Sequence, residues 1–284
     1  MQATEYHLIN KGTDRLGFGS AALTSMRSYR AIRRLLDIAF ESGITHFDTA
    51  PLYGQGYSEK IVGEFLKDKR DKVTIATKFG LGVAPHHRIP FRLALPLNYY
   101  KKKWTGKVFT PGDEEVALSY RNIPLPQIRT SLENSLRSLN TGYIDYYFVH
   151  EGLPSFLDPE ALAFLLEQKK KGIIKFLGIA TGSMNLRQLK KDELIGWDVL
   201  QYESGPFSKS GDIQSIFPEK THFFHSSLKH LARFDPPGIP PESKAGFILA
   251  EQVKGNLNGK VLFSTRRRES LENNLDSFKR YYKQ

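Results

Sequence analysis

Eight short apolar runs recur along the 284 residues of this chain, and the segments between most of them have helical periodicity. The runs are RLGFGSAAL (15–23), ITHFDT (44–49), KVTIATKF (72–79), YIDYYFVH (143–150), IIKFLGIA (173–180), WDVLQY (197–202), THFFHS (221–226) and GKVLFS (259–264). β-branched and aromatic residues dominate them, as suits buried strands. In 28–42, Ala31, Ile32, Leu35, Leu36, Ala39 and Phe40 share one helical face, with Ser28 placed as N-cap and Gly43 as the stop. Segments 58–69, 128–140, 158–172 (Asp158 as N-cap), 244–255 and 268–282 follow the same pattern. Strand–helix alternation calls for parallel strands joined by helical crossovers. Eight such units predict an α/β fold, a (β/α)8 TIM barrel, as a single domain over 1–284. An open doubly wound sheet is the alternative, but its G-x-G-x-x-G phosphate loop is missing, since GFGSAA (17–22) ends in Ala.

Two segments break the rhythm. Residues 81–124, a long loop after strand 3, and residues 203–220, a loop after strand 6, have no sustained period. In a barrel both belong at the C-terminal mouth, where active sites form. The chain has no cysteine, which excludes disulfides, thiol nucleophiles and thiolate metal sites. Its start, MQATEYHLIN, has no apolar signal region, and no apolar run reaches the roughly 18–20 residues that span a bilayer. A soluble, cytoplasmic protein with no membrane partner is the expectation. The formal charge is +11, from 41 Lys+Arg against 30 Asp+Glu, which fits either an anionic partner or plain solubility. NYYKKKWTGKVF (98–109), with Lys101, Lys102 and Lys103, interleaves aromatics with lysines as some nucleic-acid or membrane binders do. A loop or substrate lid is the preferred reading, with no nucleic-acid partner. His86-His87 lacks nearby carboxylate or thiolate ligands at metal spacing, so no metal site is expected.

Against these strand ends the ionisable residues form a pattern. Asp48 ends the second strand, Tyr53 lies in the loop beyond it, Lys78 is near the end of the third and His150 ends the fourth. Parallel strands bring those ends to one rim. Taken singly, each has a plain explanation: a turn cap, a packing aromatic, a strand-end charge, a rim histidine. Together their chemistry is coherent. An ammonium beside a phenol favours the phenolate, a carboxylate keeps the ammonium charged, and an imidazole orients a substrate oxygen. Such a set suits proton donation to a carbonyl while a nicotinamide or flavin delivers hydride.

FDTAPLYG, IATKFG (75–80), SLRSLNTGYIDYYFVH (135–150), GIIKFLGIA (172–180) and VLFSTRRRESLENNL (261–275) occur in the order found in aldo-keto reductases, which the chain resembles over nearly its whole length. The segment after Lys78 is similar to that of the galactose- and fucose-type sugar dehydrogenases. The resemblance implies an NADP-dependent oxidoreductase interconverting an aldehyde or ketone with its alcohol, as a monomer or homo-oligomer, without metal. It implies Tyr53 as general acid/base, Lys78 lowering its pKa, Asp48 pairing with Lys78, and His150 orienting the carbonyl. It places Thr181, Gln201, Ser264, Thr265, Arg266, Arg267, Arg268 and Asn274 at the cofactor, the arginines being suited to a 2′-phosphate and hence to NADP over NAD. Arginines at a helix start oppose its dipole, which also points to a bound anion. Several positions depart from the family pattern. Gly182 stands where the carboxamide-binding Asn is usual. Ser204 replaces a stacking aromatic, with Tyr202 or Phe207 as substitutes, Ser270 replaces an arginine, and Asn273-Asn274 stands for a usual Glu-Asn. An NADPH-binding regulatory protein with little turnover, on the same fold, is the alternative.

Overall fold

The computed structural model describes residues 12–81, 90–105, 122–208 and 210–283. Its strands are β1 (Leu16–Gly19), β2 (His46–Asp48), β3 (Thr74–Phe79), β4 (Ile144–His150), β5 (Ile174–Ala180), β6 (Val199–Glu203), β7 (Thr221–His225) and β8 (Lys260–Phe263). They run in the order β1 to β8 as a closed barrel, and every neighbouring pair is parallel, including β8 against β1. All eight fall within the runs expected from sequence, give or take a residue, and the open-sheet alternative is excluded by the closure. The helices are α1 (Tyr29–Glu41), α2 (Tyr57–Leu66), α3 (Phe91–Thr105), α4 (Leu125–Leu139), α5 (Pro159–Lys170), α6 (Ser183–Gln188), α7 (Ile213–Ile216), α8 (Lys244–Gly255) and α9 (Arg268–Tyr282). Ser28 caps α1 as its spacing suggests, its Oγ accepting from the Ala31 N–H at 3.4 Å. Asp158 sits at the N-cap of α5 but makes no side-chain cap bond there, and Pro159 supplies the preset first turn.

The expectation of a continuous loop over 81–124 is corrected by α3. Its apolar face is confined to one end, where Phe91, Ala94 and Leu95 are buried. Pro96 sits inside it, and a polar half follows, so no sustained period is visible. Phe91 packs edge-on against Tyr29 at 5.1 Å, and the Arg92 guanidinium lies over the Tyr29 ring at 4.6 Å. Residues 98–105 are therefore helical rather than loop, while 82–89, with His86 and His87, and 106–121 lie outside the described residues.

Side chains on a strand alternate between its two faces. The outward set (Phe47, Ile75, Tyr147, Ile179, Leu200 and Phe224 among them) joins the inner faces of the helices in one buried core. The inward set forms a second cluster of Ala76, Phe148, Ala180, Val199 and Phe223, with Tyr146 packed against it. Tyr146 and Phe223 meet at 4.9 Å, Phe148 and Phe223 at 5.9 Å, and the His46 ring stands edge-on to both Tyr146 and Phe223. These rings fill the barrel axis. Phe148 fits only because its register partner on β5 is Gly178, where a Cβ would overlap the ring. Gly178→Ala should therefore destabilise the fold by ~1–3 kcal/mol through overpacking, read as a lower urea midpoint with an unchanged slope.

Candidate active site

Two residues further along each inward row, the apolar plug gives way to polar groups. Asp48 follows His46, Lys78 follows Ala76, His150 follows Phe148, Gln201 follows Val199 and His225 follows Phe223. The period of two thus lays a polar floor directly on an apolar one. Asp48 and Lys78 are almost fully buried. The Lys78 ammonium donates to Asp48 Oδ1 at 2.7 Å and to the Thr49 carbonyl at 2.9 Å. Gln201 Nε2 donates to Asp48 Oδ2 at 2.8 Å, so both carboxylate oxygens are held.

Tyr53 reaches this floor through a turn pinned by hydroxyls. Ser20 Oγ donates to the Asp48 carbonyl at 2.8 Å, Thr49 Oγ1 donates to Ser58 Oγ at 2.9 Å, and Ser20 and Ser58 meet at 2.7 Å. The chain then turns through left-handed backbone at Gly54, Gln55 and Gly56, with φ of 55°, 60° and 87°. Two of those positions are glycine, which takes this conformation without steric cost. The Tyr53 ring ends 4.9 Å from the Lys78 ammonium and edge-on to His150, with ring centres 6.1 Å apart. All four residues of the tetrad converge on one cavity of about 450 Å³, whose wall also includes Glu151, Gln201, His225, Lys229 and Ser264.

The electrostatics follow from burial. Desolvation opposes charge on Lys78, but Asp48 and Tyr53 outweigh it and hold the ammonium above the ordinary lysine range. Desolvation raises the Tyr53 phenol, and Lys78 pulls it down by less, so Tyr53 stays above the ordinary phenol value. Lys78 thus acts on Tyr53 in the direction expected from sequence without deciding the outcome. Burial first, then Lys78, push His150 down to about 3 and His225 down to about 4, so both imidazoles are neutral at pH 7. Burial raises the Glu151 carboxyl. Beneath the Tyr53 turn, burial pushes Glu59 up to about 7, against a 2.7 Å hydrogen bond from Thr77.

The cofactor candidates scatter more widely. Gln201 and Ser264 line the cavity. Thr181 is buried just behind it, accepting from Asn185 Nδ2 at 2.9 Å. Thr265 and the arginines lie at the exposed start of α9, outside the cavity wall: Arg266 donates to Ser25 Oγ at 3.3 Å, Arg268 to Glu272 at 2.8 Å, and the Arg267 N–H to Thr265 Oγ1 at 3.2 Å. Asn274 is buried a turn and a half further along. Neither substitute for the stacking aromatic reaches the cavity. Tyr202 faces outward, its hydroxyl 3.1 Å from His222 Nδ1, and Phe207 stands exposed against Phe234. Ser204 turns to Gln252. Sequence reasoning missed His225, which the inward parity of β7 signals, and Glu151, which strand alternation would turn away from the cavity.

Two stability measurements test these electrostatics. Lys78→Met should cost ~3–5 kcal/mol in urea denaturation, because it strands a buried carboxylate. Glu59 binds its proton more tightly folded than unfolded, so the native chain loses stability as pH rises from 4.5 through 7. Glu59→Gln should be the more stable protein above pH 7, by ~3 kcal/mol, and the gap should close as pH falls to 4.5.

Residues 15–219 match the profile of the Aldo/keto reductase family. Over 174 residues the chain is 33% identical to the NADH-specific methylglyoxal reductase of Escherichia coli, covering 60% of this chain and 46% of that protein. Over 179 residues it is 30% identical to the D-threo-aldose 1-dehydrogenase of a Pseudomonas species, covering 60% of this chain and 50% of that one. The matched stretches thus span about half the length of these curated relatives. An aldo-keto reductase from Bacillus halodurans, in its holo form, superposes with a TM-score of 0.68 at 19% identity, over 95% of this chain and 90% of the other. Family profile, strand order and barrel closure agree, and the chain belongs to the aldo/keto reductase family.

Proposed function

We propose that the chain is an NADP(H)-dependent oxidoreductase that interconverts an aldehyde or ketone with its alcohol, with Tyr53 as general acid/base. The observation that carries this reading is the convergence of Tyr53, Lys78, Asp48 and His150 on a single cavity. A nicotinamide fits the groups present. Gln201 lines the cavity, and among the described residues its Oε1 is buried without a hydrogen-bond partner while its Nε2 is spent on Asp48. That orphan acceptor suits the N–H of a carboxamide, and Ser264, on the same wall, suits the sugar–phosphate that would follow. When bound, the nicotinamide supplies or takes up the hydride.

The remaining chemistry belongs to the chain. Neutral His150 donates a hydrogen bond to the carbonyl oxygen and holds it beside the Tyr53 hydroxyl. The raised phenol keeps its proton up to high pH, so a donor is present throughout the physiological range. As negative charge develops on the carbonyl oxygen, Tyr53 gives up its proton, and the Lys78 ammonium 4.9 Å from the ring stabilises the phenolate left behind. Asp48 and Gln201 fix Lys78 through this change and need not move. In the reverse direction the phenolate accepts the alcohol proton.

Preference for NADP over NAD is supported by Arg266, Arg267 and Arg268 at the α9 start, whose guanidinium forks suit a 2′-phosphate. One relative is named for NADH, so the preference belongs to this chain's own arginines. The substrate is a small carbonyl or alcohol. Among the described residues no helix is long and apolar enough to cross a membrane. The second reading, a cofactor-binding protein with little turnover, draws on the lack of an aromatic at Ser204 and on the outward placement of Tyr202 and Phe207.

NADPH should quench the protein's fluorescence with a Kd about tenfold or more below that for NADH, and Arg267→Ala should narrow the gap. Tyr53→Phe should lower kcat for carbonyl reduction by ~10²–10⁴ while leaving the NADPH Kd unchanged. Undiminished turnover in that variant would overturn the mechanism, and tight NADPH binding without turnover on any carbonyl would favour the second reading.

A further inference from the structure

Glu151 is placed against the rule that governs its strand. Inward residues on β4 are Tyr146, Phe148 and His150, so a continued strand would turn the next side chain outward, toward the helices. Instead, Glu151 adopts left-handed backbone, φ 51°, a conformation that costs a non-glycine residue of this kind. Its N–H is locked onto the Ala180 carbonyl at 2.6 Å. Glu151 lines the same cavity as His150, Tyr53 and Lys78.

The carboxylate is oriented but incompletely used. Asn185 Nδ2 donates to Thr181 Oγ1 at 2.9 Å, and Thr181 Oγ1 makes a long 3.5 Å contact to Glu151 Oε2. Among the described residues no other hydrogen bond holds this half-buried carboxylate, which leaves it able to accept from a donor in the cavity. The donor is best neutral, because Lys78 already places a buried ammonium in the same cavity. A hydroxyl meets that requirement, and a cationic ligand does not.

We infer that Glu151 is a specificity residue that accepts a hydrogen bond from a hydroxyl on the carbon next to the reacting one, so that the preferred ligands are 2-hydroxy carbonyls and the matching vicinal diols. This rests on the proposed carbonyl reduction for the position of the reacting carbon. With His150 on the carbonyl oxygen, Glu151 on the same cavity wall is the acceptor offered to the neighbouring substituent. The backbone strain at Glu151 is then explained by the placement of this acceptor.

Lactaldehyde and propanal differ only in the 2-hydroxyl and make the test. With NADPH, kcat/KM should favour lactaldehyde by about tenfold or more, since losing the hydroxyl leaves a polar group unmet. Glu151→Gly removes the carboxylate and relieves the left-handed backbone. It should melt no lower than the native chain, lose more on lactaldehyde than on propanal, and bring the two aldehydes to near equality. Glu151→Gln keeps an acceptor and should retain part of the preference. Saturation-transfer NMR, which needs no turnover, should show propane-1,2-diol bound more strongly than propan-1-ol by the native chain and equally by the Glu151→Gly variant. If neither aldehyde is reduced, the carbonyl reading fails and the NMR comparison alone decides the role of Glu151. An unchanged aldehyde ratio in Glu151→Gly, an equal loss on both aldehydes, or no advantage for the diol would overturn the inference.

Discussion

The ion pair between Lys78 and Asp48 is the contact on which the rest of the site depends. Both residues are almost fully buried, so each charge is tolerable only because the other is within hydrogen-bond distance. The Thr49 carbonyl and Gln201 complete the arrangement. Three strands are thereby tied together at the polar edge of the barrel interior: β2 through Asp48, β3 through Lys78 and β6 through Gln201. The pair also sets the electrical environment of its neighbours. Lys78 opposes burial at Tyr53 and adds to it at His150 and His225, while Asp48 works against Lys78 at Tyr53 and His225. The result is a protonated phenol and two neutral imidazoles around one fixed positive charge, a combination that surface residues would not produce at neutral pH.

The aromatic plug beneath this layer is equally necessary. Tyr146, Phe148, Phe223 and the ring of His46 occupy the axis, and they exclude the water that would otherwise screen the ion pair. A barrel with small residues at those positions would solvate Lys78 from below, weakening both the burial that opposes its charge and the attraction to Asp48 that sustains it. Packing and electrostatics are linked here by the two-residue repeat of the strand, since the residues that fill the axis and the residues that react occupy alternate steps of the same rows.

Much of this was legible in the sequence. The eight strands announce themselves as β-branched and aromatic runs, and α1 with its Ser28 cap is a plain amphipathic pattern. Asp48, Tyr53, Lys78 and His150 could be grouped because parallel strands share a rim. What was not legible depended on contacts made over distance. The helix Phe91–Thr105 hides because its buried apolar residues Phe91, Ala94 and Leu95 fall in its first turns and because Pro96 argues locally against it. Tyr202 looked available to the cavity, yet an odd step in the β6 row turns it outward to His222. Glu151 looked like an ordinary residue leaving a strand, and nothing in the local pattern announces its left-handed backbone. The direction of the Tyr53 shift was also hidden, because a sequence names the neighbouring ammonium but not the depth of burial that outweighs it.

The filled axis has a kinetic meaning as well as a structural one. With the barrel stopped from below, the polar floor is approached from one side only. On the proposed function, two molecules lying one upon the other in such a well would not come and go independently. The one resting against Gln201 would arrive first and leave last, and Phe148 and Phe223, by closing the axis below, would impose that order.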